Sequence, residues 1–370
     1  MSRAQGSFGG AQTWPRSLRE ASVISLSLLA AFAMGALFMR LVGLHPGIAY
    51  YQLLRGGLGS VHGIGETLVR FCPLGLCALA VAVGFRAAFF TIGVEGQFYL
   101  GALGTTLTAL ELPHLPAPIL IPLAMAAGTA AGSAWALLAG WLKVRLGVNE
   151  VIGTLMLNYI AVLLIDFLVR GPLRAPGSDA QYTALIPAAS MVPRILPGIR
   201  ITWTIVLPLL GALGVHLFLR RSWAGFCAQA QGINPNAARY AGINGARSVL
   251  TAAGISGALA GLAGAAVIQG EFHRLQAGIA SDYGYTAIPI ALVGNTSAFP
   301  TLVAALLFAA LDVGATLMQL KASVPYPLVK LLQGLVILCV AGLPMLPWAL
   351  RFRRGLPDTV MAAGASEGDQ

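Results

Sequence analysis

Apolar runs of about 20 residues recur along the whole chain, and they constrain its fold more than any other feature. Each run is long enough to cross the roughly 30 Å hydrocarbon core of a bilayer as an α-helix. Only 10% of the 370 residues are charged and 57% are hydrophobic, whereas a soluble domain carries about 25% charged residues. The alternating ten-residue segments of a transmembrane β-barrel are not seen in the sequence. The sequence therefore predicts an all-α, polytopic membrane protein.

Ten segments are predicted to cross the membrane, and the eighth is short and interrupted by Pro289 and Gly294. Their approximate ranges are 21–43, 64–84, 92–111, 117–142, 149–169, 201–219, 248–269, 285–295, 299–320 and 327–349. The predicted organisation is an N-terminal tail at 1–20, a transmembrane domain at 21–350 with a polar loop at 220–247, and a C-terminal tail at 351–370. The first run is too long for the apolar core of a cleaved signal peptide and is interpreted as a retained helix.

Basic residues predict the orientation of these segments, because cytoplasmic loops carry an excess of Lys and Arg. Both tails are basic, with Arg3 near one end and Arg351 near the other. Both termini are therefore predicted to be cytoplasmic, which requires an even number of crossings and makes 285–295 one of them. The net charge of +10 is explained by the Lys and Arg residues of the predicted cytoplasmic loops and tails. Nucleic-acid binding is not predicted, since the chain has no long run of basic residues and no extended alternation of basic and aromatic residues.

No catalytic or metal-binding pattern emerges from the sequence. The chain has three lysines and none follows a glycine, so it lacks the P-loop of an ATPase. The four cysteines form no C-x-x-C pair and the five histidines are scattered. No cofactor, metal site or disulfide is therefore predicted.

The stretch FRAAFFTIGVEGQFYLGAL, residues 85–103, places Arg86, Glu95 and Gln97 inside an apolar segment. A carboxylate within a membrane helix costs at least about 2.5 kcal/mol by insertion scales. Glycines beside Glu95 predict an interrupted helix, which transport proteins place beside the substrate path. Two hypotheses follow: these side chains line or orient that path, or they clamp helices together. The same two apply to three other polar residues inside predicted spans, Asn158, Tyr159 and Gln333.

Small residues form stripes on two predicted helices. Gly254, Gly257, Gly261 and Gly264 fall on one helix face, and a second stripe runs from Gly128 to Gly140. Such faces allow close approach of helix backbones in lipid. Helix packing is the main interpretation, and a substrate path along the face is the alternative.

The polar loop contains QGINPNAARYAGING, residues 231–245, which predicts a helix of two turns. Asn234 is suited to cap its N-terminus, Pro235 to occupy the first position, and Gly242 to adopt a left-handed conformation after its end. So short a helix is marginal in water. It is therefore expected to dock on another surface, and a solvated loop is the alternative.

Five stretches resemble, in order, segments of the branched-chain amino acid/ribose permease family of ABC importers, and in particular its nucleoside-type members. They are FRAAFFTIGVEGQFYLGAL, GVNEVIGTLMLNYIAVLLIDFLVRGPLR, GINPNAARYAGIN, GYTAIPIALVGNTSAFPTLVAALLFAAL and VPYPLVKLLQGLVIL. The resemblance extends over about residues 60–345. The chain departs from the family pattern at Thr91, where the family has Asn, and at Ala88, where Gly is common.

The resemblance implies a permease subunit in a bacterial plasma (inner) membrane that forms a nucleoside path. It implies an ABC ATPase, a second related permease and an extracytoplasmic substrate-binding protein as partners, with membrane lipid around it. ATP hydrolysis is expected on the ATPase rather than on this chain. The coupling residues carried over from the family are Gly232, Asn234, Pro235, Ala238, Arg239, Tyr240 and Gly242.

Three alternatives to nucleoside import stay open at the level of sequence. The same machine could carry ribose-like sugars or branched-chain amino acids. An ion-coupled secondary transporter would need a buried ionisable residue, for which Glu95 and Asp166 are the main candidates. A membrane enzyme is the third alternative and has no motif behind it.

Overall fold

The computed structural model describes residues 16–177, 180–195, 198–322 and 324–342. The end of the last predicted span, the tail 351–370 and the first fifteen residues of the tail 1–20 lie outside the described residues.

Within these ranges the chain is helical and forms thirteen α-helices. They are α1 (Arg16–Leu41), α2 (Pro46–Leu58), α3 (Val61–Arg86), α4 (Val94–Glu111), α5 (Ala117–Leu146), α6 (Glu150–Arg170), α7 (Val206–Arg221), α8 (Trp223–Ile233), α9 (Pro235–Tyr240), α10 (Gly245–Val267), α11 (Tyr283–Val293), α12 (Ala298–Ala322) and α13 (Tyr326–Gly342). A turn of π-helix, Ile268–Phe272, extends α10.

Every predicted span coincides with one helix, but α2 and α8 lie where the sequence predicts loops. Both helices are short and rich in glycine, which lowers helix propensity. In α8, a Cβ atom on Gly225 or on Gly232 would collide with the carbonyl of Phe218 or of Arg86. The α8 helix is therefore stabilised by close tertiary packing, which leaves no periodic signal in the sequence.

The chain divides into two compact units. One unit runs from Gly47 to Tyr326 and contains α3 to α12. The other comprises the described residues up to Pro46 and from Pro327 to Gly342, and so contains α1 and nearly all of α13.

Six helices in the described part of the chain are long and apolar enough to cross a bilayer. They are α3, α5, α6, α7 with the 3-10 turn before it, α10 with its π turn, and α12. Helix α11 and the segment Leu29–Leu41 of α1 are apolar but shorter. The fold is therefore that of a polytopic helical membrane protein, and the count of ten crossings stays a prediction.

Helix α3 forms the core of the larger unit. Every residue from Phe71 to Gly84 is buried, and the helix packs against α10, α12 and α11. A helix that is apolar on all sides is expected in such a central position. Both ends of α3 emerge from this core, and the polar residues described below lie at those ends.

Glycines bring α4, α5 and α10 into close contact around this core. A Cβ atom on Gly132 of α5 would lie 2.5 Å from the carbonyl oxygen of Gly257 and 2.6 Å from the Cα atom of Gly261 in α10. A Cβ atom on Gly101 of α4 would also collide with Gly261. The helix-packing interpretation of the two small-residue stripes is confirmed.

The predicted loop 170–200 is irregular, and it lies along the segment that joins α10 to α11. Backbone N–H groups of Thr183, Ile186 and Val192 donate to carbonyl oxygens of Leu275, His273 and Gln269, each over 2.9 Å. These bonds pair backbone N–H and C=O groups of one irregular segment with those of the other. They fix the approach of the chain to the N-terminus of α11.

Candidate functional site

The break between α3 and α4, residues 87–93, is held by polar side chains from α6. Asn158 Nδ2 donates to the carbonyl oxygen of Ile92 over 2.8 Å, and Asn158 Oδ1 accepts from the N–H of Gly96 over 2.9 Å. Thr154 Oγ1 accepts from the N–H of Ile92 over 3.1 Å. Irregular backbone at membrane depth requires such partners inside the protein.

Lys143 of α5 supports the other side of the same break. Its Nζ atom donates to the carbonyl oxygen of Ala88 over 2.8 Å and to Glu150 Oε1 over 3.0 Å, and lies 5.6 Å from the centre of the Phe89 ring. Ala88 adopts a φ of 52°, a left-handed conformation that suits glycine better than alanine. Ala88 therefore stands where the family commonly has glycine, at a position whose backbone conformation favours glycine.

Glu95 lies at the N-terminus of α11. Its side chain is buried, and Oε2 accepts from the N–H of Gly284 over 2.6 Å. The approach is so close that a Cβ atom on Gly284 would lie 2.6 Å from the Cα atom of Glu95. The first N–H groups of a helix have no partner within it, and an anion is favoured there by the helix dipole. Glu95 thus stabilises the start of α11.

Arg86 lies at the opposite end of α11. Its Nε atom donates to Thr296 Oγ1 over 2.9 Å and to the Thr296 carbonyl oxygen over 3.2 Å. Its Nη2 atom donates to Ser297 Oγ over 3.0 Å and to the Asn295 carbonyl oxygen over 3.2 Å. A cation is favoured at the C-terminal end of a helix. The guanidinium therefore stabilises the turn that follows α11.

Helix α11 is consequently held at both ends by one short stretch of chain. Its eleven residues span about 16 Å at 1.5 Å per residue. The carboxylate of Glu95 and the guanidinium of Arg86 lie at its two ends, with the signs that complement its dipole. This arrangement offsets the cost of placing charged groups in an apolar segment.

The structure brings together three of the five predicted path residues. Glu95, Gln97 and Asn158 are all buried where α4, α6 and α11 meet, and Asn158 Nδ2 also lies 3.4 Å from the Tyr285 hydroxyl oxygen. Gln97 Oε1 has no hydrogen-bond partner among the described residues. Tyr159, by contrast, is 55% exposed.

The fifth path residue, Gln333, belongs to α13 in the smaller unit. Sequence reasoning did not single out Thr154 or Lys143 for the site. Thr154 precedes Asn158 by four residues and so shares its helix face, a signal that was available in the sequence. For Lys143 the only signal in the sequence was its position at the end of a predicted span.

The predicted two-turn helix of the polar loop is confirmed as α9. Asn234 Oδ1 accepts from the N–H groups of Asn236 and Ala237 over 3.0 and 3.1 Å, and Pro235 occupies the first helical position. These two features satisfy the N-terminal turn in the way that the sequence predicts.

The end of α9 also follows its prediction. Gly242 has a φ of 79°, and the N–H of Ile243 donates to the Ala238 carbonyl oxygen over 2.9 Å, as in a Schellman motif. Tyr240, in the last turn, is 94% exposed. The helix thus presents an aromatic side chain that nothing within the described chain covers.

The same loop reaches the break through α8. Gly232, in the last turn of α8, lies so close to the C-terminus of α3 that a Cβ atom would collide with the Arg86 carbonyl oxygen. Arg86 is therefore in contact with two segments. The polar loop packs against its backbone carbonyl, and the turn after α11 accepts hydrogen bonds from its side chain.

Metal ligation has no support in the residues that the structure describes. They contain no group of three or more His, Cys, Asp or Glu side chains that could hold a metal ion.

A family model described as the permease component of branched-chain amino acid transport systems matches residues 63–341. The chain is similar to the glucose ABC transporter permease TsgB13 of Haloferax volcanii, with 36% identity and 85% of each chain covered. It is similar to the guanosine permease NupP of Bacillus subtilis, with 33% identity over 89% of this chain and 94% of the relative. It is also similar to the nucleoside permease NupB of Lactococcus lactis, with 30% identity over 87% and 91%. No solved structure matches the chain.

Proposed function

The chain belongs to the family of branched-chain amino acid transport system permease components, and from this premise we propose that it forms the path by which an ABC importer moves nucleosides across the membrane. It is the permease subunit of an ABC transporter, as its relatives are. The observation that supports nucleosides is the similarity, over about nine-tenths of the chain, to a guanosine permease and a nucleoside permease. A sugar is the second candidate, because the Haloferax relative is named for glucose.

The proposed topology has ten crossings in the plasma membrane of a bacterium, with both termini cytoplasmic. Helices α1, α4, α11 and α13 supply the four crossings beyond the six long apolar helices. Arg86 and α9 then face the cytoplasm, and α2 faces the outside. A reporter fused after Arg3 and one fused after Arg354 should both report a cytoplasmic location, and an external signal from either would contradict the topology.

Permeases of ABC importers work with separate ATPase subunits and a substrate-binding protein. For this chain we propose an ABC ATPase on the cytoplasmic face, a binding protein on the outer face and a second related permease beside it. Helix α9 is the proposed contact with the ATPase, since its Tyr240 side chain is almost fully exposed and aromatic residues are enriched among energetically dominant interface contacts.

The contacts of Arg86 support a route from α9 to the membrane interior. Displacement of α8 and α9 by the ATPase would act on the end of α3 through Gly232. Because the Arg86 side chain holds the end of α11, that displacement would pass to α11. Glu95 then links the other end of α11 to the break. In this proposal Glu95 and Asn158 position α11 and the break, while Gln97, Tyr159 and Gln333 stay candidates for solute contact.

An ion-coupled transporter receives no support from its two candidate carboxylates. Glu95 is engaged by the N-terminus of α11, and Asp166 Oδ1 accepts from Arg170 Nε over 2.8 Å within α6. A coupling carboxylate must be free to exchange its ion with water during the cycle. Both groups instead have structural partners.

Uptake by the assembled complex tests the proposed function. The permease, the second related permease, the ATPase and the binding protein are reconstituted in liposomes with labelled guanosine, glucose, ribose or leucine. Uptake of guanosine should require ATP and be the fastest of the four. Uptake that persists without the ATPase and follows an ion gradient would overturn the ABC mechanism, and faster uptake of glucose would favour the sugar.

The coupling role of α9 has a matched pair of variants. Gly242→Val places a β-branched residue at a φ of 79°, which strains the end of α9, although nothing lies within 4 Å of the added Cβ atom. Ala241→Val adds the same side chain one residue earlier, where φ is −76°. Only the first should reduce uptake and weaken retention of the ATPase during purification. Equal behaviour of the two variants would contradict the assignment.

A further inference from the structure

A cavity of about 820 Å³ lies between α2, the first half of α3 and the last half of α12. This volume falls in the range of about 300–1,000 Å³ that is typical of small-molecule sites. The cavity follows α3 from Ser60 to Arg70, which corresponds to about 15 Å at 1.5 Å per residue. This cavity, which is partly open to the surface, is called the chamber below.

The walls of this chamber are fixed by close backbone packing. A Cβ atom on Gly57 of α2 would lie 2.5 Å from the Ala310 carbonyl oxygen of α12, and one on Gly56 would lie 3.0 Å from the Cα atom of Gly314. Thr67 Oγ1 of α3 donates to the Gly57 carbonyl oxygen over 2.9 Å. The three helices thus meet in close contact, and the chamber is preformed.

Several hydrogen-bond donors lie within the otherwise largely apolar wall of the chamber. Gln52 and Arg55 contribute from α2, Arg70 from α3, and Thr316 and Lys321 from α12. No hydrogen bond or ion pair within the described residues engages the Arg55 guanidinium or the Lys321 ammonium group. These donors are available to a bound molecule.

Arg70 and Glu66 are held in place at the wall of the chamber. Arg70 Nη1 donates to Asp312 Oδ2 over 2.5 Å, and no other nitrogen of this guanidinium has a hydrogen-bond partner among the described residues. Glu66 Oε2 lies 3.6 Å from Arg200 Nη1 and retains acceptor capacity. The chamber therefore offers oriented donors and one carboxylate acceptor.

We propose that this chamber is a solute-binding site of the transport path, and that it accepts a purine nucleoside. A guanidinium can donate two parallel hydrogen bonds to the acceptor edge of a guanine base, and a carboxylate such as Glu66 can accept from ribose hydroxyl groups. The side chain of a branched-chain amino acid offers no hydrogen-bond acceptor to these donors. In the proposed topology the chamber opens on the outer face. The inference rests on the proposed transport function.

The first experiment measures the KM of guanosine uptake by the assembled complex. Arg55→Met and Lys321→Met should each raise the KM about tenfold, the change expected from losing one hydrogen bond to a charged group, without weakening assembly with the ATPase. Arg145→Met removes an exposed cation from the end of α5, outside the chamber, and should leave the KM unchanged. An unchanged KM in both chamber variants would overturn the inference while leaving nucleoside transport intact.

The identity of the transported solute separates the proposed nucleoside function from the proposed binding site in the chamber. If the unaltered complex transports glucose and not guanosine, the nucleoside function fails. The same chamber variants, measured on glucose uptake, then decide whether the chamber binds the transported solute at all: a raised KM supports the site with a sugar in it, and an unchanged KM rejects the site.

The second experiment measures access to the chamber without the binding protein. Thr316→Cys is introduced with Cys227→Ser, since the other cysteines are buried, and is labelled with a membrane-impermeant maleimide. Saturating guanosine should slow labelling several-fold, whereas leucine should not. His114→Cys, on an exposed loop outside the chamber, should label at a rate that guanosine does not change. The binding protein is then added in a separate reaction. Protection by the binding protein and none by guanosine would identify the cavity as a docking surface and overturn the inference.

Discussion

Charged side chains surround both ends of α3 and are used in different ways at the two ends. At the Arg86 end, Arg86, Lys143 and Glu95 all have protein partners, and these contacts hold α11 and the break. At the other end Arg55 and Lys321 line a large cavity without partners among the described residues. The comparison indicates that satisfied charges in this fold position helices, whereas unsatisfied charges are available to a ligand.

Asn158→Leu should have the largest effect of the changes that test this comparison. It leaves the Ile92 carbonyl and the Gly96 N–H unpaired in a buried site, and each orphaned group costs about 1–3 kcal/mol. The purified permease should show a clearly lower unfolding temperature and lose uptake. Tyr159→Leu, at the next and exposed position, is the control and should leave the unfolding temperature almost unchanged. Equal unfolding temperatures for the two variants would show that the break does not depend on α6.

Glu95→Ala is expected to be somewhat milder, because it removes a single charged acceptor from the N-terminus of α11. Hydrogen bonds to charged groups contribute about 1.5–3 kcal/mol. The unfolding temperature should fall, and Glu95→Gln, which keeps an acceptor oxygen, should recover part of the loss.

At the chamber end, Arg55→Met should change the stability by no more than about 0.5 kcal/mol. A large loss of stability in Arg55→Met would erase the contrast between the two ends.

Arg86→Lys tests whether the geometry of the guanidinium matters in addition to its charge. A lysine keeps the cation but cannot reproduce the fork that donates from Nε and Nη2. Uptake should fall while the unfolding temperature changes little, because α11 is still attracted but is no longer held in one orientation. The same change at the exposed Arg145 should affect neither quantity. Full uptake by the Arg86→Lys variant would show that only the positive charge at position 86 matters for transport.

Ala88→Gly should have the smallest effect and the opposite sign. An L-residue in the left-handed region costs roughly 1–2 kcal/mol, and glycine relieves this strain at a φ of 52°. The unfolding temperature of the permease should therefore rise. Ala87→Gly, at a φ of −101°, should lower it, since glycine there gains no relief and loses a buried methyl group. A rise in both variants would show that chain flexibility, rather than φ at position 88, limits stability.

Much of the fold could be predicted from local patterns in the chain. The ten apolar segments each coincide with a helix, including the short α11. The predicted interruption of that segment is wrong, because α11 continues through Pro289 and ends just before Gly294. The capping residues of α9 were also readable, because Asn234 and Gly242 act on their own neighbouring backbone. Helices α2 and α8 were missed, since neither is apolar enough or long enough to be recognised without its packing partners.

By itself the sequence determined a polytopic helical membrane protein and the position of the short helix α9, because hydrophobic length and local capping act over a few residues. Only the tertiary structure decided what the charged residues do. Arg86 and Glu95 are nine residues apart in the chain and meet opposite ends of α11, about two hundred residues further on. Arg55, Arg70 and Lys321 converge on one cavity from three helices. Such pairings depend on which helices pack together, and in a membrane that choice is made by close backbone approach and hydrogen bonds, neither of which has a fixed spacing in the sequence.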